Sequence, residues 1–215
     1  MANEVIEAVK SGERSRVENA IEAHPALAAS LDDNGVSALL IAVYYGQREI
    51  ADLLASRVST MSMHEGAAIG DLTTIRALGR WPDTVRDYSP DGWTPLHLAA
   101  AFGGAEAVRV LLELAADPNQ RSRNALNNTP LHACAAISRS VDIARMLLDH
   151  GADVNATQHG GFTALHSAAF NGSVDLVGLL VERGADLSAR TDDGQTAADL
   201  AREKGHDKLA ILLSP

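Results

Sequence analysis

The chain has 215 residues, 46% hydrophobic but only 4% aromatic, and a formal net charge of −10 from 28 acidic against 18 basic residues. No two basic residues are adjacent, so there is no basic stripe to neutralise nucleic-acid phosphates. The longest unbroken apolar run, the eight residues Ala38 to Tyr45, falls far short of the roughly 20 that span a bilayer.

The start, Met1-Ala2-Asn3-Glu4, lacks the basic-then-apolar layout of a secretory signal. Cys134 is the single cysteine and has no intrachain disulfide partner. Both features fit a cytoplasmic protein with no membrane association. From the N-terminus, Val5 to Pro25 reads as a degenerate helix pair, because Gly12 and Gly46 are one 34-residue step apart. Asp32-Asp33-Asn34-Gly35-Val36-Ser37-Ala38-Leu39-Leu40 begins the first well-formed unit. Gly46 to Gly70 is only 24 residues, so a projecting turn is expected to be missing between Val58 and Met61. Ser62 and Glu65 there form the pattern of a capping box, in which each side chain satisfies the other's backbone N–H.

Beyond this point one block recurs. Thr94-Pro95-Leu96-His97 returns as Thr129-Pro130-Leu131-His132 and Thr163-Ala164-Leu165-His166, with a worn copy at Thr196-Ala197-Ala198-Asp199, at spacings of 35, 34 and 33. Thr is suited to an N-cap, and Pro to the first helical position, where its missing N–H costs nothing. Small residues follow, such as Ala133-Cys134-Ala135, and allow close approach of neighbouring helices. Each of these helices is expected to end at a left-handed glycine: Gly46, Gly70, Gly103, Gly172 or Gly205. A second helix carries apolar residues at i, i+3 and i+4, as in Leu176, Leu179 and Leu180. It closes at Gly151-Ala152-Asp153 or Gly184-Ala185-Asp186, with Ala115 and Ser188 standing where the pattern expects Gly and Asn. The stretch Ile137 to Ser140 holds one inserted residue.

A period near 33 carrying T-P-L-H resembles ankyrin repeats, and the unit spacings also resemble stand-alone bacterial ankyrin-repeat proteins. The resemblance implies an all-α solenoid of stacked antiparallel helix pairs with projecting hairpin tips. The units are expected at 1–31, 32–58, 59–88, 89–122, 123–157, 158–190 and 191–215, in a single domain. It further implies a non-catalytic scaffold that binds another protein along its concave side. A dedicated inhibitor or regulator of one enzyme is the alternative. An enzyme with its site scattered over several repeats is the alternative from another class.

No H-x-x-x-H, C-x-x-C or phosphate-loop spacing occurs, so no metal or cofactor is expected. His97, His132 and His166, with His64 assigned to the same series, fall on separate units. The resemblance gives them a structural hydrogen-bonding role near the Thr cap. Cys134 reads as a small buried apolar residue. The candidate partner-binding residues are those before the helix-ending glycines, Tyr44, Tyr45, Ile69, Phe102, Phe170 and Asn171, together with Trp93 and Phe162 beside the caps. For Trp93 and Phe162 packing between neighbouring tips is the favoured reading over partner contact. The acidic surface fits a partner of basic character and equally fits simple solubility. The expected state is a monomer.

Overall fold

The computed structural model describes residues 1–214. Seven helix pairs follow one another: α1 (Ala2–Lys10) with α2 (Arg14–Ala23), α3 (Ala38–Tyr44) with α4 (Arg48–Arg57), and α5 (Met63–Ile69) with α6 (Leu72–Leu78). A short helix α7 (Pro82–Arg86) intervenes. Then come α8 (Pro95–Leu98) with α9 (Ala105–Glu113), α10 (Pro130–Ala133) with α11 (Val141–Asp149), α12 (Ala164–Phe170) with α13 (Val174–Glu182), and α14 (Ala197–Glu203) with α15 (Asp207–Leu212). The fold is an all-α solenoid.

The first helix of each pair packs on its neighbours through small side chains, which explains a core so poor in aromatics. Ala99, Ala100, Cys134, Ala135, Ala168 and Ala169 are all fully enclosed. The second helices turn Leu111, Leu147, Leu176 and Leu180 inward. Repetition of these layers buries one continuous apolar column that no single unit could close alone.

Between units the chain forms narrow turns closed by paired backbone bonds, such as Ser89 N–H to the Trp93 carbonyl at 2.8 Å and Thr191 N–H to the Gln195 carbonyl at 2.9 Å. Adjacent tips are linked in turn: Arg123 N–H donates to the Gly92 carbonyl, His159 N–H to the Leu126 carbonyl and Asp192 N–H to the Gly160 carbonyl. The α5–α6 unit contributes no such tip. Gly35 of the first tip consequently lies against the Pro90 ring of the next, where a Cβ on Gly35 would sit 3.6 Å from the Pro90 Cβ. The capping box of Ser62 and Glu65 is formed.

Two departures from period 33 have distinct origins. The tip from Ser122 to Asn128 closes over six residues where the others close over four. The first helix of the same unit runs on through a π-helical turn at Cys134–Ser138 and ends at Arg139, held at φ +52°. The inserted residue near Ile137 is that turn.

Two expectations need correction. Gly103 is not the left-handed residue of its unit; Gly104 is, at φ +88°. The α8 helix also continues through a π turn, Ala99–Gly103, closed by Gly104 N–H to the Ala99 carbonyl at 3.1 Å, which moves the turn one residue on. Gly103 is small for another reason, since a Cβ there would collide with the Ala67 carbonyl of α5. His64 does not occupy the repeating histidine position either. With Ser62 as the N-cap, Glu65 stands at the third helical position and His64 at the second. The α5 helix starts one residue late relative to period 33, so the repeating position falls to Glu65.

Ser188 and Ala115 preserve the loops they altered. Asn119 and Asn155 each bridge to the following loop: Asn119 Nδ2–H donates to the Gly151 carbonyl, Asp153 N–H donates to Asn119 Oδ1, and Asn155 repeats the pattern at Gly184 and Asp186. Ser188 instead turns its hydroxyl back to the Asp186 carboxylate at 2.7 Å. Ala115 adopts the left-handed conformation of Gly151 and Gly184, at φ +62°.

Candidate interaction face

Three histidines hold consecutive units together. In each, Nδ1 meets the Thr cap hydroxyl: His97 with Thr94 at 2.7 Å, His132 with Thr129 at 2.8 Å and His166 with Thr163 at 2.9 Å. Nε2 faces a carbonyl of the next unit, Asn128, Phe162 or Gln195, at 3.0, 3.1 and 3.2 Å. A carbonyl only accepts, so Nε2 carries the proton and Nδ1 accepts from the threonine. The rings are therefore neutral, and burial pushes His97 and His132 down to about 4. His64 reaches a different carbonyl, that of Asp87, at 3.1 Å.

These groups do not converge. Each ring is satisfied within its own pair of units, and among the described residues no cluster of three His, Cys, Asp or Glu is placed to hold a metal ion. Cys134 is fully buried, and desolvation raises its thiol to about 11, which leaves almost no thiolate for nucleophilic chemistry.

The remaining candidates lie at the C-terminal ends of the first helices and on the tips. Tyr44, Trp93 and Phe102 come together: the Tyr44 and Phe102 ring centroids are 5.7 Å apart, and those of Trp93 and Phe102 are 6.5 Å apart. Trp93 also meets the edge of its own unit's His97 at 5.6 Å. The Tyr44 hydroxyl is enclosed without a hydrogen-bond partner. Burial, reinforced by the Asp91 carboxylate, raises its pKa. Ile69 lies beside this group and, with Phe102 and Ala101, borders a recess of about 250 Å³ that extends to Arg48.

Phe162, Phe170 and Asn171 form a second group. They border a notch of about 500 Å³ together with Leu126 and Ala136. Phe162 meets its own His166 edge-on at 5.9 Å, and Lys204 stands 4.4 Å above the Phe170 ring. Asn171 donates to the Ala135 and Ala136 carbonyls of the preceding unit, which gives it a bridging role. Tyr45 joins neither group; it is 56% exposed and lies near Lys10 of α1.

Ile137 and Leu126, both exposed, belong to this face and have no counterpart in the motif reading. Ile137 stands five residues after His132, as Phe102 stands five after His97, so the register could have identified it. Leu126 sits in the lengthened tip, where no repeat position predicts a residue. Trp81 is 66% exposed at the start of α7, away from the repeating positions.

The sequence model described as "Ankyrin repeats" matches three times, over residues 63–158, 118–191 and 157–215. The chain belongs to the ankyrin-repeat family. Ankyrin repeats generally mediate protein–protein interaction. Among the relatives, the B-cell lymphoma 3 protein homolog of Mus musculus is 40% identical over 85 residues, covering 40% of this chain and 18% of that protein. A putative ankyrin repeat protein of fowlpox virus is 38% identical over 86 residues, 40% of this chain and 24% of its own length. The nuclear factor NF-kappa-B p105 subunit of Gallus gallus is 34% identical over 112 residues, 50% of this chain and 11% of the relative. The chain thus spans less than a quarter of each of these proteins. None of the three is bacterial, so the resemblance to stand-alone bacterial proteins stays an expectation. Residues 1–62 lie outside the family match, in keeping with two helix pairs, α1–α2 and α3–α4, that lack the Thr-Pro-Leu-His block. Among the described residues, no helix is long and apolar enough to cross a membrane.

Proposed function

We propose that this chain is a non-catalytic protein-binding scaffold whose partner lies along its concave side, across the first-helix ends and the tips. The observation that carries this reading is the concentration of the scarce large apolar residues there: Tyr44, Tyr45, Ile69, Trp93, Phe102, Phe162 and Phe170 in a chain only 4% aromatic. Interfaces derive most of their affinity from a few such anchors. Buried, neutral histidines and a buried thiol supply no acid, base or nucleophile to this face, which favours binding over chemistry. The same reading has the chain acting as a cytoplasmic monomer without a cofactor, its lone Cys134 enclosed in the core.

The partner is expected to be another protein of basic character, given the net charge of −10. Affinity isolation from the native host supplies it. Alanine at Tyr45, Phe102 or Phe170 should then weaken binding, each anchor by about 2 kcal/mol or more, while Glu182→Ala on α13 should leave it unchanged. The reverse pattern would move the interface to the second helices and overturn the proposal.

A further inference from the structure

The unit from Ser122 to Asp149 departs from the repeat period twice, and both departures put an apolar side chain into solvent on the same face. The lengthened tip carries Leu126, 46% exposed, and the π turn carries Ile137, 37% exposed. Between the tip and the next first helix lies the notch of about 500 Å³ walled by Leu126, Ala136, Phe162 and Phe170. Its size is that of sites that enclose bulky groups. Ala136 leaves room in it, because the same position holds the larger Tyr44 in α3 and Phe170 in α12.

Charge on the tips is unbalanced. Every ion pair among the described residues takes its acid from a helix or, for Glu13, from a helix N-cap: Glu4, Glu7, Glu13, Glu49, Asp52, Glu106, Glu113, Asp149, Asp199 and Glu203. The arginines flanking the tips are engaged otherwise. Arg121 donates to the Asn127 and Thr157 carbonyls, Arg190 to the Gly194 carbonyl, and Arg123 stacks on Tyr88 at 4.0 Å. Asp192 and Asp193 on the tip after the notch are exposed and form no ion pair, and Asp192 N–H bonds the Gly160 carbonyl of the tip that lines it. Asp91, bonded to Ser89, stands on the tip before it. Lys204 stands over the Phe170 ring and also lies 3.7 Å from Glu203.

We infer that the notch between Leu126 and Phe170 is a specificity pocket for one bulky apolar side chain of a protein segment whose neighbouring residues are Lys or Arg, the cations resting against Asp192 and Asp193. The apolar side chain fills the notch and displaces water from Phe162 and Phe170. The flanking cations meet tip carboxylates that form no ion pair among the described residues. This deepens the protein-binding reading above and rests on it, adding which part of the face selects the partner and for what chemistry.

The experiment is selection of displayed random peptides on the immobilised full chain, followed by titration of the enriched peptides. Enriched sequences should carry a bulky apolar residue flanked by Lys or Arg. Phe170→Ala and Leu126→Ser should each weaken them about tenfold or more, with unchanged circular dichroism, since both side chains are exposed. The double variant Asp192→Asn, Asp193→Asn should flatten the salt dependence of binding. Enriched peptides without that pattern, or none at all, would overturn the proposal, as would peptides that bind Phe170→Ala and Leu126→Ser as well as the parent. Loss with Phe102→Ala but not Phe170→Ala would overturn the pocket and leave the binding function standing. Loss confined to Glu182→Ala would overturn both.

Discussion

His97 Nε2 lies 3.0 Å from the carbonyl oxygen of Asn128, 31 residues further along the chain and in the next unit. The bond passes from one repeat to the next through a ring that must stay neutral to keep it, because Nδ1 has to accept from Thr94. Stability is therefore tied to the protonation of a buried base.

The folded pKa of His97 and His132 is about 4, below the roughly 6.5 of an unfolded histidine. The unfolded chain binds more protons between these values, so stability is full above pH 6.5 and falls as pH drops toward 4. Each ring contributes up to about 3 kcal/mol of that loss. Urea denaturation across this range should show the decline. His132→Gln should reduce its slope; a flat profile would contradict the assignment.

Leu131 is 1% exposed and Leu126 is 46% exposed, five residues apart. Leu131→Ala should cost about 2–5 kcal/mol through lost burial and the cavity left behind. Leu126→Ala should stay within about 0.5 kcal/mol. Equal effects in chemical denaturation would mean that the tip, not the helix, carries the packing.

Ala115 and Gly103 predict opposite signs for reciprocal substitutions. Ala115 is held at φ +62°, where a Cβ costs roughly 1–2 kcal/mol, partly offset by the greater chain entropy of glycine. Ala115→Gly should stabilise by about 0.5–1 kcal/mol. Gly103→Ala should destabilise, because its Cβ would meet the Ala67 carbonyl. Thermal melts of the two variants check both; a rise for Gly103→Ala would contradict the close approach of α5 and α8.

The N-terminal pair α1–α2 should open before the centre. Its caps, Met1 and Glu13, make no side-chain cap bond, and no Thr–His bridge ties it to the next unit. Weak units of a solenoid fray first. Hydrogen exchange should show lower protection in residues 5–25 than in 129–180, and equal protection would contradict this.

The solenoid was legible because four repeats state their own start through Thr, two of them with Pro after it, and their packing through runs of small residues. Register within a repeat was less so. A π turn adds or shifts a residue without changing the composition that marks a helix, so Gly103 looked like the cap when Gly104 was. His64 lies 33 residues before His97, but Ser62 starts its helix one residue late, which puts Glu65 at the repeating position. The short helix α7 was announced only by Trp81-Pro82, a proline at a first helical position, after a junction already irregular. Leu126 was invisible because an inserted tip residue has no periodic reference. The aromatic groupings needed coordinates, since whether Tyr44 or Tyr45 reaches Phe102 depends on which side of one helix turn each occupies.

In the proposed function a protein partner covers the face of first-helix ends and tips. Hydrogen exchange on the full chain, free and bound to a partner isolated from the native host, tests it most directly. Added protection is expected around Tyr44, Phe102, Leu126, Ile137 and Phe170, with α9, α11 and α13 unchanged. Protection confined to those second helices, with the first-helix ends exchanging as in the free protein, would contradict it.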